Sequence, residues 1–222
     1  MDRMDGLRNK SVHWALVALS LFVIISAARI GVADLLSGYA RNEMYAWSVS
    51  AVRPDLSAVE AVSRALDVAR LISAGNPDHY EDLARLAVVR SGMAGITGDE
   101  RNAQLVEGLV HIRRAIALRP VSSYSWSILL LLKRELAQYD AEFRYALERA
   151  VTLGPWEPDV QPIVADVGLS AWAALPFAEQ EMVRKNFLRG MKHQANTMIA
   201  ISQSHRDDCN SERAKLNPGC GR

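Results

Sequence analysis

From Val12 to Ala28 the chain reads VHWALVALSLFVIISAA, in which every position is apolar or small except His13. Carried through Arg29 to Ala33 the run reaches 22 residues. About 20 apolar residues cross a hydrocarbon core roughly 30 Å thick, so the pattern predicts a transmembrane helix over 12–33. Residues 1–11 are a short N-terminal segment before it. Residues 34–53, with Tyr39, Tyr45 and Trp47, read as a juxtamembrane stretch that can continue the helix. Beyond Pro54 apolar residues recur at helical spacing: Val62, Leu66, Ala69 and Ile72 share one face, and Glu60, Arg64, Asp67 and Arg70 the other. Asp55 or Ser57 is placed to cap this helix. Further helices are expected from Asp78, Asp99, Ser123, Asp140, Asp159 and Pro176, the last running to about Ser202. Gly75-Asn76-Pro77, Gly95 to Gly98, Arg119-Pro120 and Gly154-Pro155 are the breaks between them. Asp78 with Glu81 has capping-box spacing, and Asp99 is the expected cap of its helix. No stretch keeps a strand's period of two for more than a few residues. The fold class is all-α: an anchor, a helical domain over 54–204 and a polar tail over 205–222.

The flanks of the apolar run give it a direction. Arg3, Arg8 and Lys10 precede it, so the positive-inside rule favours a cytoplasmic N-terminus and export of the bulk of the chain. Arg29 is expected to snorkel toward the far headgroups. A cleaved signal peptide is the alternative, since Ser26 and Ala28 supply small residues at suitable spacing. The apolar run is long for that purpose, and the first ten residues hold two acids beside three bases. Lys plus Arg number 26 against 25 for Asp plus Glu, which gives no electrostatic footprint for nucleic acid.

Within the helices a weak repeat is legible. Ala115 and Pro120 return as Ala150 and Pro155, a spacing of 35, close to the 34-residue period of tetratricopeptide (TPR) repeats. Trp126 and Leu129, and earlier Tyr80, Leu83 and Ala87, fall at first-helix positions of that pattern. The expectation is a degenerate TPR-like helical-repeat domain; an irregular helical bundle uses the same helices.

Chemistry is sparse. The five histidines show no metal-clasping spacing, and no phosphate loop, nucleophile elbow or paired-carboxylate motif occurs. No catalytic, cofactor-binding or metal-binding residue is expected, and the protein reads as a non-enzyme. Cys209 and Cys220 can close a disulfide loop in an oxidising compartment, with two unpaired thiols as the alternative. The most specified stretch is Leu153-Gly154-Pro155-Trp156-Glu157-Pro158. Its prolines and glycine set the direction of Trp156, which serves either as a buried wedge between helix pairs, the favoured reading, or as a binding anchor together with Glu157. Trp126 and Trp172 are expected in the core. Glu142, Arg144, Glu148 and Arg149 read as a solvated, locally paired face.

Ala117-Leu118-Arg119-Pro120, Tyr124-x-Trp126, Lys133, Tyr139 to Phe143, Ala146 to Ala150, Leu153 to Gln161, Gly168-Leu169 and Trp172 together resemble the VpsP family of bacterial polysaccharide-biosynthesis proteins. The resemblance spans about residues 107 to 175, and Leu153 to Pro158 is its most distinctive part. Where a glycine is common in the family's turn, this chain has Leu136-Ala137-Gln138-Tyr139. The resemblance implies an accessory role in exopolysaccharide biosynthesis, some of it linked to biofilm matrix. The resulting expectation is a scaffold in the bacterial inner membrane, crossing once, with its bulk in the periplasm. Its partners would be proteins of the polysaccharide assembly machinery, and self-association is left open. A general envelope chaperone is the runner-up. A glycan-acting enzyme, for which only Glu157 and Asp159 stand out as unpaired acids, is the third reading.

Overall fold

A computed structural model describes residues 2–49 and 53–210, with the side chains of 13–48 and 53–206. Every element among them is helical. The chain divides into two compact units at Asn76/Pro77.

In the first unit, α1 (Asp2–Val49) is one helix of 48 residues, so the juxtamembrane stretch continues the apolar run without a break. The segment from His13 to Ser48 is long and apolar enough to cross a membrane. Up to Val32 its large apolar side chains point outward: Trp14 is 69% exposed and Phe22 68%. Beyond that point Ala33, Ser37, Ala40 and Met44, spaced by four, three and four, form a buried stripe against α2 (Leu56–Ile72). Small residues on the stripe let the two helices approach closely. From α2 the partners are Val59, Val62, Leu66 and Ala69, the face expected from the periodicity apart from Ile72, which is only half-buried. Asp55 caps α2 by accepting from the Ala58 N–H at 2.7 Å. The sequence reading placed α2 in the helical domain; it packs with α1 instead.

The second unit holds α3 (Pro77–Ser91), α4 (Gly98–Leu118), α5 (Ser123–Glu135), α6 (Ala141–Leu153), α7 (Val160–Ser170), a 3-10 turn at Trp172–Ala174, α8 (Phe177–His193) and α9 (Ala195–Asn210). Consecutive helices pair as α3/α4, α5/α6 and α7/α8; α5 then packs on α7 and α6 on α8. Leu105, Leu109 and Ile112 of α4, Ile128 to Leu130 of α5, Phe143 and Leu147 of α6, and Val164 and Val167 of α7 fill one continuous core. Trp126 is buried in it as expected, and Trp172 packs against it half-buried.

Two expected caps and one helix end differ. The α4 cap is Thr97, whose hydroxyl accepts from the Glu100 N–H while Glu100 reaches back to the Thr97 N–H, a complete capping box. Asp99 lies in the first turn. Asp78 and Glu81 form no such box: α3 already starts at Pro77, and both carboxylates turn to Arg119, from α4's end. The helix expected over 176–202 breaks at Gln194, and α9 then runs to Asn210, through the start of the expected tail. The Cys209–Cys220 pairing lies outside the described residues.

The α5–α6 turn explains a departure noted in the sequence. Gln138 N–H donates to the Lys133 carbonyl and Ala137 N–H to the Arg134 carbonyl, at 2.8 and 2.9 Å. This is a Schellman ending, which requires a left-handed residue at the position Ala137 fills with φ of 53°. Alanine does there what glycine does without the steric cost.

Candidate functional site

Buried and half-buried ionic groups of the second unit tie helices together. Glu81, 5% exposed, accepts from Arg119 at 3.0 Å, Ser122 at 3.2 Å and Ser125, so α3 is fixed to the start of α5. Lys133, 2% exposed, reaches Asp140 at 2.6 Å and Glu142 at 2.8 Å. Arg113 makes a two-pronged pair with Glu142 at 2.9 and 2.8 Å. Burial pulls the Lys133 ammonium down, but the bonds to Asp140 and Glu142 outweigh it and hold the group above its ordinary value. The Arg113 bond, reinforced by Lys133, holds the Glu142 carboxyl at about 2. Arg134 pairs with Asp166 at 2.6 Å, and His205 of α9 meets the other Asp166 oxygen at 2.9 Å. Burial alone would raise Asp166; His205 and Arg134 keep it low. Burial pushes the Tyr124 phenol up to about 12, so at neutral pH it stays protonated. With both sides of each pair engaged, these groups act as clamps. Glu142 and Arg149, expected to pair locally, bond across helices: Arg149 lies over Trp126 at 5.9 Å and donates to the Pro120 carbonyl.

The loop at 154–158 is different because it is rigid and faces outward. Gly154 ends α6, and a Cβ there would come within 2.5 Å of the Ser123 Cβ, so the turn is seated on the start of α5. Gln161, 1% exposed, donates to the Pro155 carbonyl at 3.0 Å. Gln194, in the α8–α9 break, donates to the Pro158 carbonyl at 3.1 Å and to the Gln161 side-chain oxygen at 3.0 Å. Asn186, fully buried, donates to the Gln161 backbone carbonyl at 2.9 Å. Both ends of the loop are thus fixed by amides from α7 and the α8–α9 break. Trp156, held between them, is 56% exposed. The Arg189 guanidinium lies 5.8 Å from the centre of its ring and the His193 ring meets it edge-on at 5.7 Å. The wedge expected for Trp156 is therefore not what forms: the loop packs through its backbone, and the indole is left outside. Glu157 is exposed beside it.

No family model, no curated protein and no solved structure matches the chain.

An indole fixed in direction, backed by a cation and flanked by an imidazole edge, is suited to stacking against a planar or apolar group. Little side-chain entropy is left to lose on binding. Among the described residues no three His, Cys, Asp or Glu side chains stand together as a metal set. Trp156 and Glu157 were legible from the sequence; Arg189, His193, Gln161 and Gln194 were not. Arg189 and His193 share a face of α8 by their spacing of four, which was a usable signal. That this face meets residues 154–158 depends on how α7 and α8 fold back.

Proposed function

We propose that this chain is an accessory scaffold anchored in the bacterial inner membrane. Its bulk lies in the periplasm, and its helical domain binds a protein of exopolysaccharide biosynthesis or export. The observation that carries a binding role is Trp156, open to solvent in a loop whose backbone is pinned by Gln161 and Gln194. Interfaces concentrate their energy in a few such aromatic anchors. The stacking of helix hairpins in chain order supports a degenerate TPR-like reading, in which successive pairs present one continuous surface. The resemblance of residues 107–175 to the VpsP family supports the polysaccharide setting, and Arg3, Arg8 and Lys10 before the apolar run support the orientation. We take the protein to act by binding rather than catalysis, since the buried Glu81 and the half-buried Glu142 and Asp166 are each engaged by cations.

Trp156→Ala in producing cells tests this. Losing one cation–π contact and one edge contact should lower domain stability by less than about 1 kcal/mol. Protein level and melting should hold while polymer output falls. Unchanged output at unchanged protein level would refute the proposal. Broad envelope defects, with folding factors rather than glycosyltransferases encoded nearby, would favour the chaperone reading.

A further inference from the structure

We infer that the last turn of α2 is immersed in the membrane surface, so that α1 enters the bilayer as one arm of a hairpin whose other arm ends in the lipid interface. The inference rests on the reading of α1 as the anchor.

Arg29 sets the depth. The next charge along α1 is Asp34, five residues farther (34 − 29), or about 7.5 Å along the helix. Arg29 therefore lies inside the apolar zone, where a lone guanidinium is costly. Instead of extending to headgroups, it donates to the Ile72 carbonyl at 3.4 Å. That bond pairs the cation with the negative end of the α2 dipole and brings the end of α2 to the depth of Arg29.

The end of α2 is equipped for a place with little water. A helix C-terminus ordinarily leaves carbonyls for solvent. Here Ser73 N–H donates to the Ala69 carbonyl at 2.9 Å, Asn76 N–H to the Ser73 carbonyl at 3.1 Å, and Arg29 takes that of Ile72. Satisfied backbone groups are what lipid demands.

The outward face of α2 changes character at the same level. Glu60 and Arg64 pair at 3.6 Å, and Arg70 turns back to Asp67 at 3.4 Å, one turn farther from the span. Below Asp67 the exposed side chains are Val68, 44% exposed, and Leu71, 70% exposed. At the level set by the Arg29–Ile72 bond, Ile30 and Val32 on α1 are exposed as well, 56% and 47%. The occupant that fits an apolar surface at the level of a membrane span is the lipid itself.

The test uses the full chain carrying Cys209→Ser and Cys220→Ser, reconstituted in phosphatidylethanolamine–phosphatidylglycerol vesicles. Nitroxide labels are placed singly by Phe22→Cys, Leu71→Cys and Glu60→Cys. Their collision rates with oxygen, which concentrates in lipid, and with a water-soluble nickel complex report depth. Phe22 and Leu71 should both favour oxygen several-fold, and Glu60 should favour nickel. A Leu71 label that behaves like Glu60 while Phe22 stays in lipid overturns the inference and leaves the anchor intact. A Phe22 label in water overturns both.

Discussion

In α1 the large apolar side chains from Trp14 to Val32 are left exposed. In α3 to α9 most of the large apolar residues face inward and charges cross from helix to helix. Phe22 and Phe143 show the contrast in one residue type: the first is 68% exposed, the second fully buried. Both lie in regular helices, so propensity does not separate them. What differs is the spacing of their neighbours. The run around Phe22 has no polar face at all, whereas Phe143 belongs to the sequence AEFRYALERAVTL, where Phe143, Ala146, Leu147 and Ala150 alternate with Glu142, Arg144, Glu148 and Arg149. A uniformly apolar helix must find an apolar solvent, while an amphipathic one makes its own.

The largest effect should come from breaking this contrast directly. Phe143→Ala empties a packed site and should cost about 3–5 kcal/mol, as read by urea unfolding of the second unit in the intact protein. Phe22→Ala should leave that transition in place. Equal losses would mean that the two units are not packed as described.

The next effect is ionic. Glu142 is held at about 2 against an ordinary value of 4.5. A group whose folded pKa is depressed stabilises above its unfolded pKa, and that contribution is lost as pH falls from about 4.5 toward 2. Because its side chain is 34% exposed, solvent screening trims the contribution to about 1–2 kcal/mol. Glu142→Gln should therefore destabilise at neutral pH and flatten the acid-induced loss. An unchanged slope between about pH 5 and pH 2 would place the acid sensitivity elsewhere.

How much of this was legible follows the range of the interactions. The long apolar helix, the start of α6 at Asp140 and the core face of α2 up to Ala69 depend on neighbours within a turn or two, and spacing reveals them. The capping role assigned to Asp78 and Glu81 failed because Arg119, some forty residues away, competes for both carboxylates. The burial expected of Trp156 failed for a related reason. Two prolines indicated a fixed turn, but Gln161 and Gln194 fix it through its backbone, leaving no need for the indole inside.

A smaller effect tests a purely local feature. Ala137 holds a left-handed backbone at φ of 53°, so Ala137→Gly should relieve strain and raise stability by up to about 1 kcal/mol. A loss instead would mean that the methyl group packs usefully in the α5–α6 turn.

The most direct measurement on the central claim, that the water-facing unit meets a protein partner through Trp156, is photocrosslinking in producing cells. A benzophenone amino acid replaces Trp156 in one strain and Phe177 in another. Phe177 is an equally apolar control, 82% exposed at the start of α8. The account predicts a discrete adduct between position 156 and a component of the polysaccharide apparatus, and none from position 177. Absence of any adduct at 156, with the protein present at its normal level, would contradict it.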